Sequence, residues 1–267
     1  MPTLVTFHAH PDDEAIATAG VMAKAVADGH RVVLVTATRG EHGEIVEGVL
    51  EDGEPLAERR TAELRAAAEV LGVARCEVLG YVDSGMMGTA ENDRPGSFWR
   101  ADLDEAAGRL AAILSEERAD VLTVYDDHGT YGHPDHIQVH RVGVRAAEMV
   151  GVPKVYEATV SRDHVRGLVE MRPPEVDEEE MPDPDAMDLG VGDEQITTVV
   201  DVTAYLDKKR QAMAVHASQI PETSFFLSLP ADAFAVAFGQ EWFILRGRAP
   251  GIPRERDLFE GLPIGDG

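Results

Sequence analysis

Two short stretches concentrate the residue types that bind metals and move protons. The first, His8-Ala9-His10-Pro11-Asp12-Asp13-Glu14, sets imidazoles beside a run of carboxylates. The second, Tyr131-Gly132-His133-Pro134-Asp135-His136, adds two more imidazoles, a carboxylate and a phenol. Three imidazole or carboxylate ligands with a fourth position left for water are the pattern of a catalytic zinc site, whereas a structural site is closed. His10, Asp13 and His136 can supply that set if the two stretches meet in space. The plain alternative makes the acids helix caps, where negative charge is favoured, and the histidines polar loop residues. Two such clusters at equivalent places in the chain argue against it.

Each stretch sits between an apolar run and a helical pattern. Residues 4–7 have strand character, and residues 15–26 are Ala-rich with apolar positions at helical spacing. Residues 121–125 form the apolar run before the second stretch, and residues 136–149 read as a helix after it. Both clusters therefore fall at strand-to-helix junctions, which in a parallel sheet open on the carboxyl edge where ligands bind.

Further strands are predicted over 31–38, 76–79, 152–159 and 196–202, with helices over 55–71, 102–114 and 205–217. The alternation indicates an α/β, Rossmann-like, three-layer fold with a mainly parallel sheet and right-handed crossovers. No Gly-rich phosphate loop follows the first strand, which disfavours a conventional dinucleotide-binding protein. The chain divides into a metal-binding α/β core (1–170), an acidic loop (171–194) and a C-terminal strand/helix cap (195–267) packed on the core. Phe225-Phe226-Leu227 and Trp242-Phe243-Ile244-Leu245 give the cap its hydrophobic bulk.

Taken together, the His-Pro-Asp-Asp-Glu and Gly-His-Pro-Asp-His motifs resemble those of the PIG-L/LmbE family of zinc-dependent N-deacetylases. The resemblance extends to residues 36–44, Arg60-Thr61-Ala62-Glu63-Leu64, Asp83-Ser84-Gly85-Met86 and His216-Ala217-Ser218-Gln219. These are similar to the branch with the mycothiol-pathway deacetylase and the mycothiol-conjugate amidase. The likeness covers most of residues 1–160 and the remainder thinly. It implies an LmbE-like fold and a metal-dependent hydrolase that removes an acyl group, foremost acetyl, from the amide nitrogen of an N-acetylglucosamine-type conjugate.

The resemblance also implies roles for particular residues. Asp12, beside the ligand Asp13, is the general base, a role that adjacency alone cannot assign. His133 stabilises the negative oxygen of the tetrahedral intermediate, best as an imidazolium held in that state by Asp135, and Tyr131 polarises the same carbonyl. Arg60 matches a substrate-contacting arginine, the alternative being an exposed arginine paired with a glutamate. Asp83 is a candidate acceptor for sugar hydroxyls, Met86 a candidate to pack on a ring face, and Glu41 a candidate lining residue at the mouth. Their plain readings are a turn residue, core filling and a polar loop. Glu14 and His140 are weaker candidates for orienting other groups, and His8 is not read as a ligand. His216, Ser218 and Gln219 either reach the cleft or finish a helix.

Ligand type does not separate zinc from ferrous iron or cobalt. The same two histidines and one aspartate also serve non-haem Fe(II) oxygenases, which usually place them on antiparallel β-scaffolds. A noncatalytic sugar-binding module is a third reading, and within the family a mycothiol-conjugate amidase is an alternative to the deacetylase.

Composition bounds the partners. A formal net charge of −25 over 267 residues argues against nucleic acid or an anionic membrane surface. No apolar stretch is long enough to span a bilayer, so membrane insertion is not expected. The expected partner is a small amidosugar, and the oligomeric state is not legible. A single cysteine, Cys76, excludes an internal disulfide, and no signal-like segment precedes the first strand, so a cytoplasmic location is expected.

Overall fold

The computed structural model describes residues 1–170, 188–251 and 254–263. Among the described residues seven strands form one sheet in the order β3-β2-β1-β4-β5-β7-β6. The first five in the chain are β1 (Thr3–His8), β2 (Arg31–Thr36), β3 (Arg75–Val78), β4 (Val121–Tyr125) and β5 (Lys154–Thr159), all parallel to one another. β6 (Thr198–Asp201) and β7 (Gln240–Leu245) complete the sheet, with β7 antiparallel to both β5 and β6.

The apolar runs become strands buried on both faces because helices cover the sheet on each side. Alternation along β1 and β2 shows the layering. Leu4, Val32 and Leu34 pack into one core with Met22, Leu64 and Met213, whereas Val5, Phe7, Val33 and Val35 pack into another with Leu110, Leu114 and Val142. The first core lies under α2 (Ala19–Ala27), α3 (Leu56–Leu71) and α8 (Leu206–Val215), and the second under α4 (Leu103–Glu117) and α6 (Pro134–Val150). Burying a Leu or Phe of this kind contributes roughly 1.5–3 kcal/mol.

Helix boundaries follow local chemistry. Asp102 caps α4 by accepting the Glu105 N–H at 2.9 Å, and α6 begins with Pro134 and stops at Gly151 in the left-handed conformation. Gly143 lets α6 lie close to β4, since a Cβ there would meet Val124 Cγ1 at 2.3 Å.

Two expectations change. The helix expected over 15–26 is broken into α1 (Asp13–Ala17) and α2 at Thr18, whose φ of −137° leaves the helical region and whose hydroxyl meets His8 Nε2 at 2.9 Å. The C-terminal stretch does not only lie over the sheet. Residues 242–245, expected as bulk of a cap, form part of β7 between β5 and β6, while α9 (Phe225–Ser228) and α10 (Ala231–Phe238) carry the remaining aromatic residues. A helix not expected from the sequence, α7 (Arg162–Glu170), follows β5. Most of the acidic loop, residues 171–187, lies outside the described residues.

The strand order reverses between β1 and β4, and that switch point is where an open α/β sheet forms a crevice. Both histidine clusters follow these two strands.

Candidate active site

Beyond β1 the chain turns through Ala9-His10-Pro11-Asp12 into α1. Asp12 adopts φ 107° and ψ −31°, a conformation that costs a non-glycine residue on the order of 1–3 kcal/mol. Two side chains hold it there. Its N–H donates to Glu14 Oε2 at 2.9 Å, and Arg60 Nη2 lies 3.1 Å from its Oδ1. Arg60, on α3 and 3% exposed, also donates to the carbonyls of Pro11 at 2.6 Å and Gly40 at 2.9 Å.

Asp13 opens α1 and spans the two clusters. Its Oδ2 accepts the His10 N–H at 2.8 Å and lies 3.4 Å from His10 Nδ1, and its Oδ1 lies 3.4 Å from His136 Nε2. The structure thus brings His10, Asp13 and His136 together across more than a hundred residues of sequence.

From β4 the chain enters the short turn α5 (Gly129–Gly132), where Thr130 has φ 67° and its N–H donates to Asp126 Oδ1 at 2.6 Å. That turn presents Tyr131, 40% exposed, with its ring 5.0 Å from His136 and 6.3 Å from His133. His133 is the N-cap of α6, and its Nδ1 accepts the Asp135 N–H at 3.1 Å. The neutral ring therefore carries its proton on Nε2. Its centroid is 4.7 Å from that of His10 and 5.1 Å from that of His136.

Asp135 is fully buried, and its Oδ2 accepts from the Ser84 N–H at 2.9 Å and from His10 Nε2 at 3.1 Å. The expectation that Asp135 holds His133 as an imidazolium is corrected by this geometry. The carboxylate serves His10, while burial and the neighbouring His10 and His136 push His133 down to about 4. His133 is a neutral donor here.

Asp83 is also buried. It accepts the His42 N–H on Oδ2 at 3.1 Å and the Gly85 N–H on Oδ1 at 2.8 Å, with His10 Nε2 at 3.5 Å from Oδ1. Glu41 Oε2 in turn accepts the Asp83 N–H at 3.1 Å, tying the loop after β2 to the loop after β3. Met86 stands apart from these contacts and is half exposed.

The electrostatics are those of a cation site. Burial opposes charge on His10, yet Asp13, Asp135 and Asp83 together hold its imidazole well above the usual histidine range. Burial also opposes charge on Asp13, but His136 and His10 keep its carboxyl well below the usual range. Asp12 behaves oppositely: burial lifts its carboxyl to about 6 against the pull of Arg60, with Asp13 adding to the rise.

The donor set fits a divalent metal. Both ring nitrogens of His136 and Asp135 Oδ1 are buried without a hydrogen-bond partner, which is costly unless something else engages them. Atoms of His10, His133 and His136 lie within 4.8 Å of one another, as do those of His10, Asp83 and Asp135. These groupings differ from the expected triad. We favour Asp13 over His133 because Asp13 offers one oxygen to each imidazole, whereas one nitrogen of His133 already caps α6.

Several residues here escape sequence reasoning. Tyr125, read as strand core, stacks on His136 with centroids 4.1 Å apart and 7° between the planes. Its hydroxyl meets His8 Nδ1 at 3.1 Å, and His8, lowered to about 4 by burial, bridges it to Thr18. The available signal was position, since Tyr125 is the last residue of β4 and so lies at the carboxyl edge. His140 binds the Tyr125 carbonyl at 3.0 Å and orients the same element.

A model of the PIG-L family, described as GlcNAc-PI de-N-acetylase, matches residues 5–147. A relative from Thermomonospora curvata, named 1D-myo-inositol 2-acetamido-2-deoxy-alpha-D-glucopyranoside deacetylase, is 42% identical over 96% of this chain and 95% of its own. One of the same name from Acidothermus cellulolyticus is 43% identical over 98% and 96%. Among solved structures, the N,N'-diacetylchitobiose deacetylase of Pyrococcus horikoshii superposes with a TM-score of 0.61 at 22% identity, covering 91% of this chain and 83% of that one. The zinc-inhibited form of teicoplanin deacetylase Orf2 gives 0.59 at 18% identity, covering 90% and 97%. A 4-carboxy-2-hydroxymuconate hydratase from Pseudomonas putida gives 0.61 at 19% identity, covering 93% and 97%. These structural likenesses speak for the fold alone, because a hydratase shares it.

Proposed function

The chain belongs to the PIG-L family, and from that premise we propose that it deacetylates 1D-myo-inositol 2-acetamido-2-deoxy-α-D-glucopyranoside, an N-acetylglucosamine-type conjugate. The observation that carries this reading is end-to-end similarity to relatives of that name at 42% and 43% identity.

His10, Asp13 and His136 would hold the metal, for which zinc is our choice among zinc, ferrous iron and cobalt. Such an ion, when bound, lowers the pKa of a water and polarises the amide carbonyl. Asp12 takes the proton of the attacking water as its oxygen bonds to the carbonyl carbon, and later delivers that proton to the amine nitrogen as the C–N bond breaks and acetate leaves. His133 Nε2–H donates to the carbonyl oxygen as negative charge develops there, and Tyr131, its ring 5.0 Å from that of His136, polarises the same atom. Arg60 restrains the Asp12 carboxylate; on this reading the loop of Glu41 and the exposed Met86 face the substrate, while Asp83 is buried beside His10.

The oxygenase reading loses support, since the ligands stand on a mainly parallel sheet and the relatives are named as deacetylases. One feature favours a second reading inside the family. A cavity of about 490 Å³ opens beside Asp13, Tyr131 and His136, walled by residues such as Ile16, Leu168 and Trp242. An apolar acyl group larger than acetyl could lodge there, as in a conjugate amidase.

Among the described residues no helix is long and apolar enough to cross a membrane. A cytoplasmic setting suits the free Cys76, whose thiol burial pushes up to about 12 and so keeps unreactive.

The test is to load the protein with each metal, offer the acetamidosugar-inositol, chitooligosaccharides and mycothiol conjugates, and identify products by mass spectrometry. Release of acetate and a free amine from the first supports the proposal. Cleavage of conjugates alone would replace it with the amidase reading, and hydrolysis of none would overturn it.

A further inference from the structure

The His216-Ala217-Ser218-Gln219 stretch lies some two hundred residues from the first motif and has no part in the chemistry described above. The fold nevertheless delivers it beneath Asp12. α8 ends at His216, and Ser218 anchors the turn by donating to Glu63 on α3 twice, from its N–H at 3.0 Å and its hydroxyl at 2.6 Å. His216 Nε2 then reaches Glu14 Oε1 at 2.5 Å, and both side chains are wholly buried. Its Nδ1 has no partner, which places the donated proton on Nε2.

Glu14 divides its two oxygens. Oε1 faces His216, and Oε2 accepts the Asp12 N–H at 2.9 Å. Asp12 is one of four non-glycine residues at positive φ among the described residues, and its main chain has no intrinsic reason to stay there. Relaxation toward negative φ would swing the Cα–Cβ bond and carry the carboxylate away from Asp13 and the two imidazoles. Arg60 holds the carboxylate and the Pro11 carbonyl, and the Ala15 N–H donates to the Asp12 carbonyl at 3.0 Å, but the Asp12 N–H is held by Glu14. Glu14 in turn has rotamers to choose from, and His216 selects one of them.

We propose that His216 and Glu14 are positioning residues for the reaction. Through the Glu14 carboxylate, His216 holds the Asp12 main chain in its left-handed conformation and so aims the Asp12 side chain at the reacting water. The proposal rests on the reading of Asp12 as the base. It predicts a kinetic signature, because misplacing a base by about 1 Å can cost on the order of a hundredfold in rate without weakening substrate binding.

The experiment compares His216→Phe, which fills the space without a donor, with His216→Gln, which keeps one. H216F should lose roughly 10–100-fold in kcat while KM and bound metal per chain stay at wild-type values, and H216Q should restore most of the loss. E14A and E14Q make the same test from the other side, since Gln keeps an acceptor for the Asp12 N–H and Ala does not. In an Asp12→Asn background, adding H216F should lower the residual rate no further, because the two act as one unit. An unchanged kcat in H216F, a loss of metal with kcat, or additive losses in the double variant would each overturn the proposal. A fully active D12N protein would instead sink the base assignment, and the proposal with it.

Discussion

Tyr125 lies flat against His136, 4.1 Å from centroid to centroid with 7° between the ring planes. The stack fixes the plane of an imidazole whose two nitrogens have no hydrogen-bond partner to do so. If His136 is a metal ligand as proposed, removal of the stack should be felt at the metal. Tyr125→Leu is expected to weaken metal affinity by roughly 10–100-fold, the usual consequence of losing a group that orients a ligand. Tyr125→Phe keeps the stack and loses only the hydroxyl contacts to His8 and Ala9, and should bind metal nearly as the wild type does. Competition against a chromophoric chelator measures both.

Asp12 and Asp13 are adjacent in sequence and make different contacts. Asp13 touches both imidazoles, whereas Asp12 touches Arg60 and neither of them. Replacing Asp12 with Asn preserves size and the contact to Arg60 but removes a proton acceptor. D12N should lose about 10²–10⁴-fold in kcat with metal content intact, and Asp13→Asn should lose the metal itself. Elemental analysis beside initial rates separates the two outcomes.

How far the sequence reveals this site follows from where its parts lie. The convergence of His10, Asp13 and His136 was legible because the two motifs follow strands with continuous apolar runs, and two such junctions in a parallel sheet share an edge. The Glu14–His216 and Ser218–Glu63 contacts were not, since a buried polar pair more than 150 positions apart leaves no local pattern. Trp242 to Leu245 read as apolar bulk for a related reason: β7 pairs antiparallel between β5 and β6, and nothing near residues 240–245 announces those partners. The break at Thr18 depends on His8 reaching its hydroxyl, again a tertiary contact that helical spacing cannot report.

Gly40 tests whether Arg60 matters as a clamp. Its φ is +65°, and a Cβ there would fall 2.3 Å from the Arg60 guanidinium carbon, so an alanine strains the backbone and displaces the arginine at once. Gly40→Ala should therefore lower kcat in the manner of Arg60→Ala and also lower Tm, by on the order of 1 kcal/mol or more of stability. If G40A matched the wild type in both, Arg60 would not be held as the structure shows. Thermal melts and initial rates on the two variants decide.

Acid stability depends on a carboxylate away from the site. Glu255 is buried where Lys154 Nζ donates to its Oε1 at 3.0 Å and the Tyr156 hydroxyl and Thr198 hydroxyl donate to its Oε2 at 2.8 and 3.0 Å. Burial works against the charge, but Lys154 and Tyr156 outweigh it and hold the carboxyl below its ordinary value. A carboxylate lowered in the folded state contributes stability above its unfolded pKa and loses it as pH falls through the folded one. The contribution should thus be complete at neutral pH and fade below about pH 4. Glu255→Gln keeps the shape but cannot carry the charge, so its Tm deficit against wild type should be largest near neutrality and shrink on acidification. A deficit independent of pH between 7 and about 3 would show that the pairing with Lys154 contributes through packing and not through ionisation.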